Sequence, residues 1–177
     1  MAEVAEDIGQ NTRDFVYKQL AQHLKGYGFQ SFVANLLTTM GYRTLESPEG
    51  TEGGVDIIAH KDELKLEPPI VKVQVKSREG PVGAPEVQQL FGNVSQGEVG
   101  LLVTLGSFSR QATEFAKTRS NLRLINGDEL LDFVLSHYEQ LDPKYKRLLP
   151  LKKVYVPEAV GEEPIAKLSK TESAKNA

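Results

Sequence analysis

From Val99 to Leu105 the chain reads VGLLVTL, apolar at nearly every position. A strand with one wet face would alternate polar and apolar residues, so a run without alternation fits a central strand covered on both faces. Helices must then lie on each side of the sheet that contains it. The flanking segments supply them. Ahead of the run, Val87, Leu90, Phe91 and Val94 recur at helical spacing behind Pro85-Glu86, a pair suited to a first helical turn, and Gly97 stops that helix. Behind it, Ser107 or Ser109 is placed to cap a helix through Ala112, Phe115 and Ala116. Leu122 to Ile125 reads as a last strand, and Asn126, Asp128 and Glu129 open an amphipathic helix carrying Leu130, Leu131, Val134, Leu135 and Tyr138.

The N-terminal half has a different rhythm. Phe15, Leu20 and Leu24 suggest one helix, and Phe29, Phe32, Val33, Leu36, Leu37 and Met40 a stronger one that Gly41 ends. Tyr42 to Leu45 reads as a short strand, Ser47 to Gly54 as a turn-rich loop, and Val55 to Ala59 as a second strand. Residues 61–69 are charged and end in Pro68-Pro69, which suits a connection between antiparallel strands. Ile70 to Val75, rich in β-branched residues, is the third strand. The expectation is an α/β fold with a central mixed sheet of about five strands flanked by helices.

Composition removes several classes of function. The chain has 177 residues and no cysteine, so disulfides and thiolate zinc sites are excluded, and His23, His60 and His137 are too scattered to suggest a metal cluster. Any metal must sit on oxygens. The start, MAEVAEDIGQ, has no leader-like pattern and the most apolar stretch is far shorter than a membrane span, so a soluble cytoplasmic protein with no membrane partner is expected. A formal charge of −3 argues against nonspecific coating of nucleic acid. The charge is uneven, however: Arg110, Lys117, Arg119 and Arg123 face only Glu114, and residues 143–153 carry Lys144, Lys146, Arg147, Lys152 and Lys153 with no acid. Such runs form a basic face or, more often, ordinary solvated surface. One domain over 26–149, a helical extension over 1–25 and a flexible tail over 150–177 complete the expected organisation.

The residues that suggest chemistry are Asp56, after two glycines, and Gln74-Val75-Lys76 at the end of the third strand. Strand alternation sends Gln74 and Lys76 to one face. The Asp56 carboxylate, the Gln74 amide oxygen and the Val75 carbonyl make a hard-oxygen half-shell suited to Mg2+ or Mn2+. Lys76 beside it is placed to orient a water and offset charge on phosphorus. Spacing alone favours the ordinary alternative, a turn aspartate and a solvated strand end.

Resemblance shifts that balance. Over residues 26–136 the segments GYGFQSFVANLLTTMGYRT, GTEGGVDIIA, VKVQVKSREG, VQQLFGN, GLLVTLGSFSRQATEFA and LRLINGDEL resemble, in order and spacing, the Mrr-like branch of the PD-(D/E)xK restriction endonucleases. The resemblance implies a restriction-endonuclease-like fold and a magnesium-dependent deoxyribonuclease. Asp56 matches the metal-binding acid, Gln74 the glutamine variant of the second position and Lys76 the catalytic lysine. One position departs: the family commonly has glutamate where this chain has Gln30, which removes a carboxylate and implies weak metal binding. Glu52 and Glu86 are the candidate substitutes, with loop and helix-start roles as the plainer reading. Gln88 or Gln89 is a candidate to reach the site. Lys76, Arg78, Ser109 and Arg110 are the candidate DNA contacts, Ser107 and Ser109 otherwise serving as simple caps. The glycine loop lacks a Gly-Lys-Ser/Thr ending, so a nucleotide P-loop is not expected.

The function expected is therefore a restriction-type DNA endonuclease, a homodimer if it cuts both strands, with recognition in a separate subunit. The alternatives are a DNA-binding module that kept the fold and lost efficient catalysis, and an interaction subunit of a larger defence or repair system.

Overall fold

The computed structural model describes residues 2–156, so the Val160–Ala177 part of the expected tail lies outside it. Residues 13–151 form one compact unit. Residues 2–12 belong to a separate small unit, in which Thr12 donates its hydroxyl to the Ile8 carbonyl and Val4 and Ile8 are exposed.

In chain order the elements are α1 (Ala2–His23), α2 (Tyr27–Thr39), β1 (Arg43–Glu46), β2 (Ile57–His60), β3 (Ile70–Lys76), α3 (Ala84–Gly92), β4 (Glu98–Thr104), α4 (Arg110–Lys117), β5 (Leu122–Ile125), α5 (Gly127–Ser136), a single 3-10 turn (Tyr138–Gln140) and α6 (Pro143–Leu148). The strands lie in sequence order across one mixed sheet: β1, β2 and β3 are antiparallel neighbours, while β3, β4 and β5 run parallel. The parallel crossovers are α3 and α4, as crossover connections require.

Both faces of the sheet are covered. Ile57, Ala59, Val71, Val73, Leu101 and Val103 pack with Val16 and Leu20 of α1, Phe29, Phe32 and Val33 of α2 and Leu130 and Val134 of α5. Leu102 and Leu122 point the other way, onto Val82, Val87 and Leu90 and onto Ala112 of α4. This two-sided burial is why the VGLLVTL run lacks alternation; each fully buried leucine contributes roughly 1.5–3 kcal/mol. Arg119 stacks over the Phe115 and Phe91 rings at 3.5 and 5.1 Å, and the two rings meet edge-on at 5.8 Å, fastening α4 to α3. Among the described residues no helix is long and apolar enough to cross a membrane.

Two local readings change. Asp56, expected just inside a strand, immediately precedes β2; its N–H still donates to the Val73 carbonyl and its own carbonyl accepts from the Ser47 N–H, both at 2.8 Å. The chain also folds into α6, which apolar periodicity does not announce because Tyr145 is its one buried side chain. The start signal was nonetheless present: Asp142 caps the Lys144 N–H at 2.9 Å and Pro143 occupies the first turn.

Candidate active site

The site lies where β2 and β3 emerge from the sheet beside the first turn of α2. The register pairs Ile57 with Val73, so the residue before β2 comes alongside the end of β3. There the Asp56 carboxylate accepts a 2.7 Å hydrogen bond from the Val75 N–H through Oδ2. Its other oxygen has no hydrogen bond among the described residues. A cleft of about 200 Å³ opens here, lined by Gly26, Tyr27, Gln30, the loop Ser47–Thr51, Asp56, Val75 and Ser77. The walls are tied together: the Gly26 N–H donates to Ser77 Oγ at 3.1 Å and Ser47 Oγ donates to the Val55 carbonyl at 2.8 Å.

Alternation along β3 decides where the remaining candidates go. Val73 and Val75 pack on the α2 face, so Gln74 and Lys76 leave β3 towards α3 and do not line the cleft. Asp56, Val75 and Gln30 therefore share the cleft, while Gln74 and Lys76 occupy the reverse side of the same strand end. The Gln74 side chain is only 5% exposed, and its Oε1 has no hydrogen-bond partner. A buried acceptor left unpaired costs about 1–3 kcal/mol. Its Nε2 lies 3.4 Å from where a Cβ on Gly54 would stand, with Gln89 Cδ at 3.7 Å and Asn93 Nδ2 at 3.6 Å. Gln89, rather than Gln88, is thus the residue of that pair beside the strand end; Gln88 lines a shallow surface depression with Arg110.

Lys76 is held by Glu86, with Nζ 3.6 Å from Oε1. The other Glu86 oxygen accepts from the Arg78 guanidinium and, at 3.1 Å, from the Gly83 N–H at the start of α3. Burial alone would push the Glu86 carboxyl up, but the Gly83 N–H and the Arg78 and Lys76 cations outweigh it and hold it below the ordinary value. Glu86 is accordingly committed to a helix cap and two cations. Arg78 also donates to the Pro81 carbonyl at 3.1 Å.

The other expected residues separate. Gln30, 7% exposed, donates to the Ser47 carbonyl at 3.0 Å and fixes the loop wall. Glu52 is exposed and is not part of the cleft; Glu49, three residues earlier, lines it instead. Ser109 accepts from the Ala112 N–H at 3.1 Å as the cap of α4, and Ser107 is exposed. Of the basic run at 110–123, Arg123 pairs with Glu129 and Arg119 lies over two rings, while Arg110 and Lys117 are exposed. Tyr27, Ser47, Glu49, Thr51 and Ser77 were not anticipated. Only Gly26, Pro48 and Gly50, which mark turns beside the strand ends, hinted that these residues would border a cavity.

Among the described residues no three His, Cys, Asp or Glu side chains gather in metal-binding geometry. The Asp56 carboxylate, with one oxygen unbonded, is a donor of the kind a hard divalent ion takes, while the buried, unpaired Gln74 oxygen lies on the reverse side of β3.

A five-stranded mixed sheet clasped by helices, with an acid before one strand and Gln-Val-Lys closing its antiparallel neighbour, defines a restriction-endonuclease-like domain. The chain belongs to the restriction endonuclease family described by the Mrr catalytic-domain model, which matches residues 21–134. It is 30% identical over 116 residues to the type IV methyl-directed restriction enzyme EcoKMrr of Escherichia coli (strain K12), an alignment covering 62% of this chain and 38% of that protein. The MspJI restriction endonuclease, solved in complex with a 27-mer oligonucleotide, superposes with a TM-score of 0.58 at 26% identity, over 78% of this chain and 34% of that one. The DNA modification-dependent restriction endonuclease AspBHI shares the fold, with a TM-score of 0.62 at 18% identity, over 79% of this chain and 39% of its own. This chain thus spans well under half of each of these relatives.

Proposed function

We propose that this chain is the catalytic domain of a divalent-metal-dependent DNA endonuclease of the restriction type, hydrolysing phosphodiester bonds at the β2–β3 strand end. The observation that carries the reading is the Asp56 carboxylate in the cleft, bonded through one oxygen to the Val75 N–H. Asp56 and the Val75 carbonyl would hold Mg2+ or Mn2+ at the cleft, and Gln74 would join them only by turning its amide round the strand end from the α3 side. When bound, such an ion polarises a phosphoryl group and lowers the pKa of a water. The chain's own residues do the rest. Lys76, which Glu86 holds on the α3 side of the strand end, would reach round that end to orient the attacking water and offset charge on phosphorus. Lys76 and Arg78, with Ser109 and Arg110, serve as backbone contacts to DNA. Residues 26–149 are the nuclease domain and 1–25 a helical extension to it. A homodimer would supply a site for each strand, with recognition from a separate subunit or segment.

Nicking of supercoiled plasmid tests this. Cleavage is expected with Mg2+ or Mn2+ and is lost in Asp56→Ala and Lys76→Ala. Plasmid that stays intact with every divalent ion, while the protein still binds DNA, favours a second reading: a DNA-binding module of nuclease fold. Gln30 motivates that alternative, since its amide is turned to the Ser47 carbonyl where a carboxylate ligand would otherwise stand.

A further inference from the structure

The basic run that begins at Lys144 has no place in the chemistry above. We propose that the exposed face of α6, carrying Lys144, Lys146 and Arg147, is a second contact for the backbone of duplex DNA beside the cleft, an inference that rests on the DNA-acting reading.

Among the described residues these cations have no acidic partner. None forms an ion pair with a described carboxylate; the Lys144 amine sits 4.9 Å from the centre of the Tyr145 ring. Of the two acids that act on Tyr145, Asp142 is taken up in capping α6 and Glu46 accepts a 2.7 Å hydrogen bond from Ser31 Oγ.

The face is also rigidly mounted, unlike an ordinary solvated charge run. Tyr145 is buried and meets the Phe32 ring edge-on at 5.0 Å. Asn35 Oδ1 accepts from the Asp142 N–H at 3.1 Å, Gln19 Nε2 donates to the Leu148 carbonyl at 2.9 Å, and the Tyr138 hydroxyl donates to the Leu149 carbonyl at 2.7 Å. Three cationic side chains thus rise from a fixed base, so less chain entropy is lost when they bind.

Position relates this face to the cleft. Phe32 and Asn35 lie on α2, whose first turn supplies Tyr27 and Gln30 to the cleft wall, and Ser31 on the same helix holds Glu46, next to the cleft residue Ser47. From Gln30 to Asn35 the helix rises only about 8 Å. One turn of duplex spans roughly 34–36 Å, so DNA seated at Asp56 extends well past α2 on either side. Two lysines and an arginine, with no amide or aromatic side chain among them, suit phosphates rather than base edges. The family match ends at residue 134, so α6 lies outside the matched residues.

The test uses the full chain with Lys144→Gln/Lys146→Gln/Arg147→Gln, read by fluorescence anisotropy on a 30-bp duplex without divalent ions across a salt series. Affinity at 0.1 M salt should fall about tenfold, and the log–log salt slope should become shallower by about two. Lys144→Arg/Lys146→Arg should bind as the wild type does, and Arg43→Gln, whose guanidinium is already paired with Glu63, should change neither quantity. Arg147→Glu alone should reproduce the direction, which covers failure of the triple variant to fold. An unchanged slope in a folded triple variant overturns the proposal, as does tighter binding to phosphatidylserine vesicles than to duplex. Plasmid nicking measured in parallel separates the two readings. A changed slope without nicking by the wild type leaves the α6 contact standing and removes the nuclease reading, while nicking with an unchanged slope does the reverse.

Discussion

Glu86 shows how one side chain can serve structure and chemistry together. It caps α3 through the Gly83 N–H while pairing with Lys76 and Arg78. Glutamine at this position keeps the cap but removes the charge. Glu86→Gln should therefore leave the melting temperature within a few degrees, tighten metal-free DNA binding severalfold because two cations are freed for phosphate, and slow single-turnover cleavage because Lys76 is no longer placed. Cleavage at the wild-type rate would assign Glu86 to the cap alone. Gly54 is the other sensitive residue: its φ of +76° is a left-handed conformation that strains any side chain, and an added Cβ would stand in contact with the Gln74 amide at 3.4 Å. Gly54→Ala should lower stability by about 1–2 kcal/mol in chemical denaturation and reduce cleavage. At this scale the sequence disclosed residue types but not their partners. The glutamate of Pro85-Glu86 read as a helix start, and that it also reaches back to the end of β3 depends on a parallel crossover returning α3 beside that strand.

At the scale of elements, most helices and strands were legible because each carries its own signal. The cap of α4 is one: Ser109→Ala removes the hydrogen bond to the Ala112 N–H and should cost about 1 kcal/mol, read as a shift in urea midpoint. α6 carries a start signal but no apolar period, since its packing depends on one tyrosine finding Phe32 on a helix far back in the sequence. Burial, with the Glu46 and Asp142 carboxylates nearby, pushes the Tyr145 phenol up to about 12. Because the folded value is raised, its stabilising contribution is complete below the ordinary value of 10 and is lost as pH climbs towards 12. Tyr17 is also pushed up, by burial and the Glu79 charge, so phenolate absorbance should show more than one late-titrating tyrosine, the latest of which disappears in Tyr145→Phe. Its persistence in that variant would place the buried phenol elsewhere.

Across the whole molecule, acid sensitivity follows chiefly from the two partly buried depressed carboxylates, Glu86 and Glu98; the exposed Asp62, held low by the Leu66 N–H, is a third. The Lys72 hydrogen bond, chiefly, holds Glu98 low against the pull of burial, and Glu86 is held low as described above. Lowered folded values mean that this stability is present above the ordinary 4.5 and disappears as pH falls through the folded values. Thermal midpoints should be nearly flat from pH 8 to about 5.5 and drop below about 4.5, with part of the drop absent in Glu98→Gln.

The sequence by itself determined the layered α/β plan, because a strand apolar at nearly every position must be covered twice, and it supplied Asp56, Gln74 and Lys76 as residue types suited to phosphoryl chemistry. Only the tertiary structure decided how they are disposed. Register brought Asp56 onto the Val75 N–H, while alternation along β3 turned Gln74 and Lys76 to the other side of that strand end. Glu49 entered the cleft and Glu52 did not because loop conformation, which no local pattern encodes, chooses between neighbouring acids. Pairing across the sheet and the closure of loops are long-range events, and residue spacing along the chain records only the short-range ones.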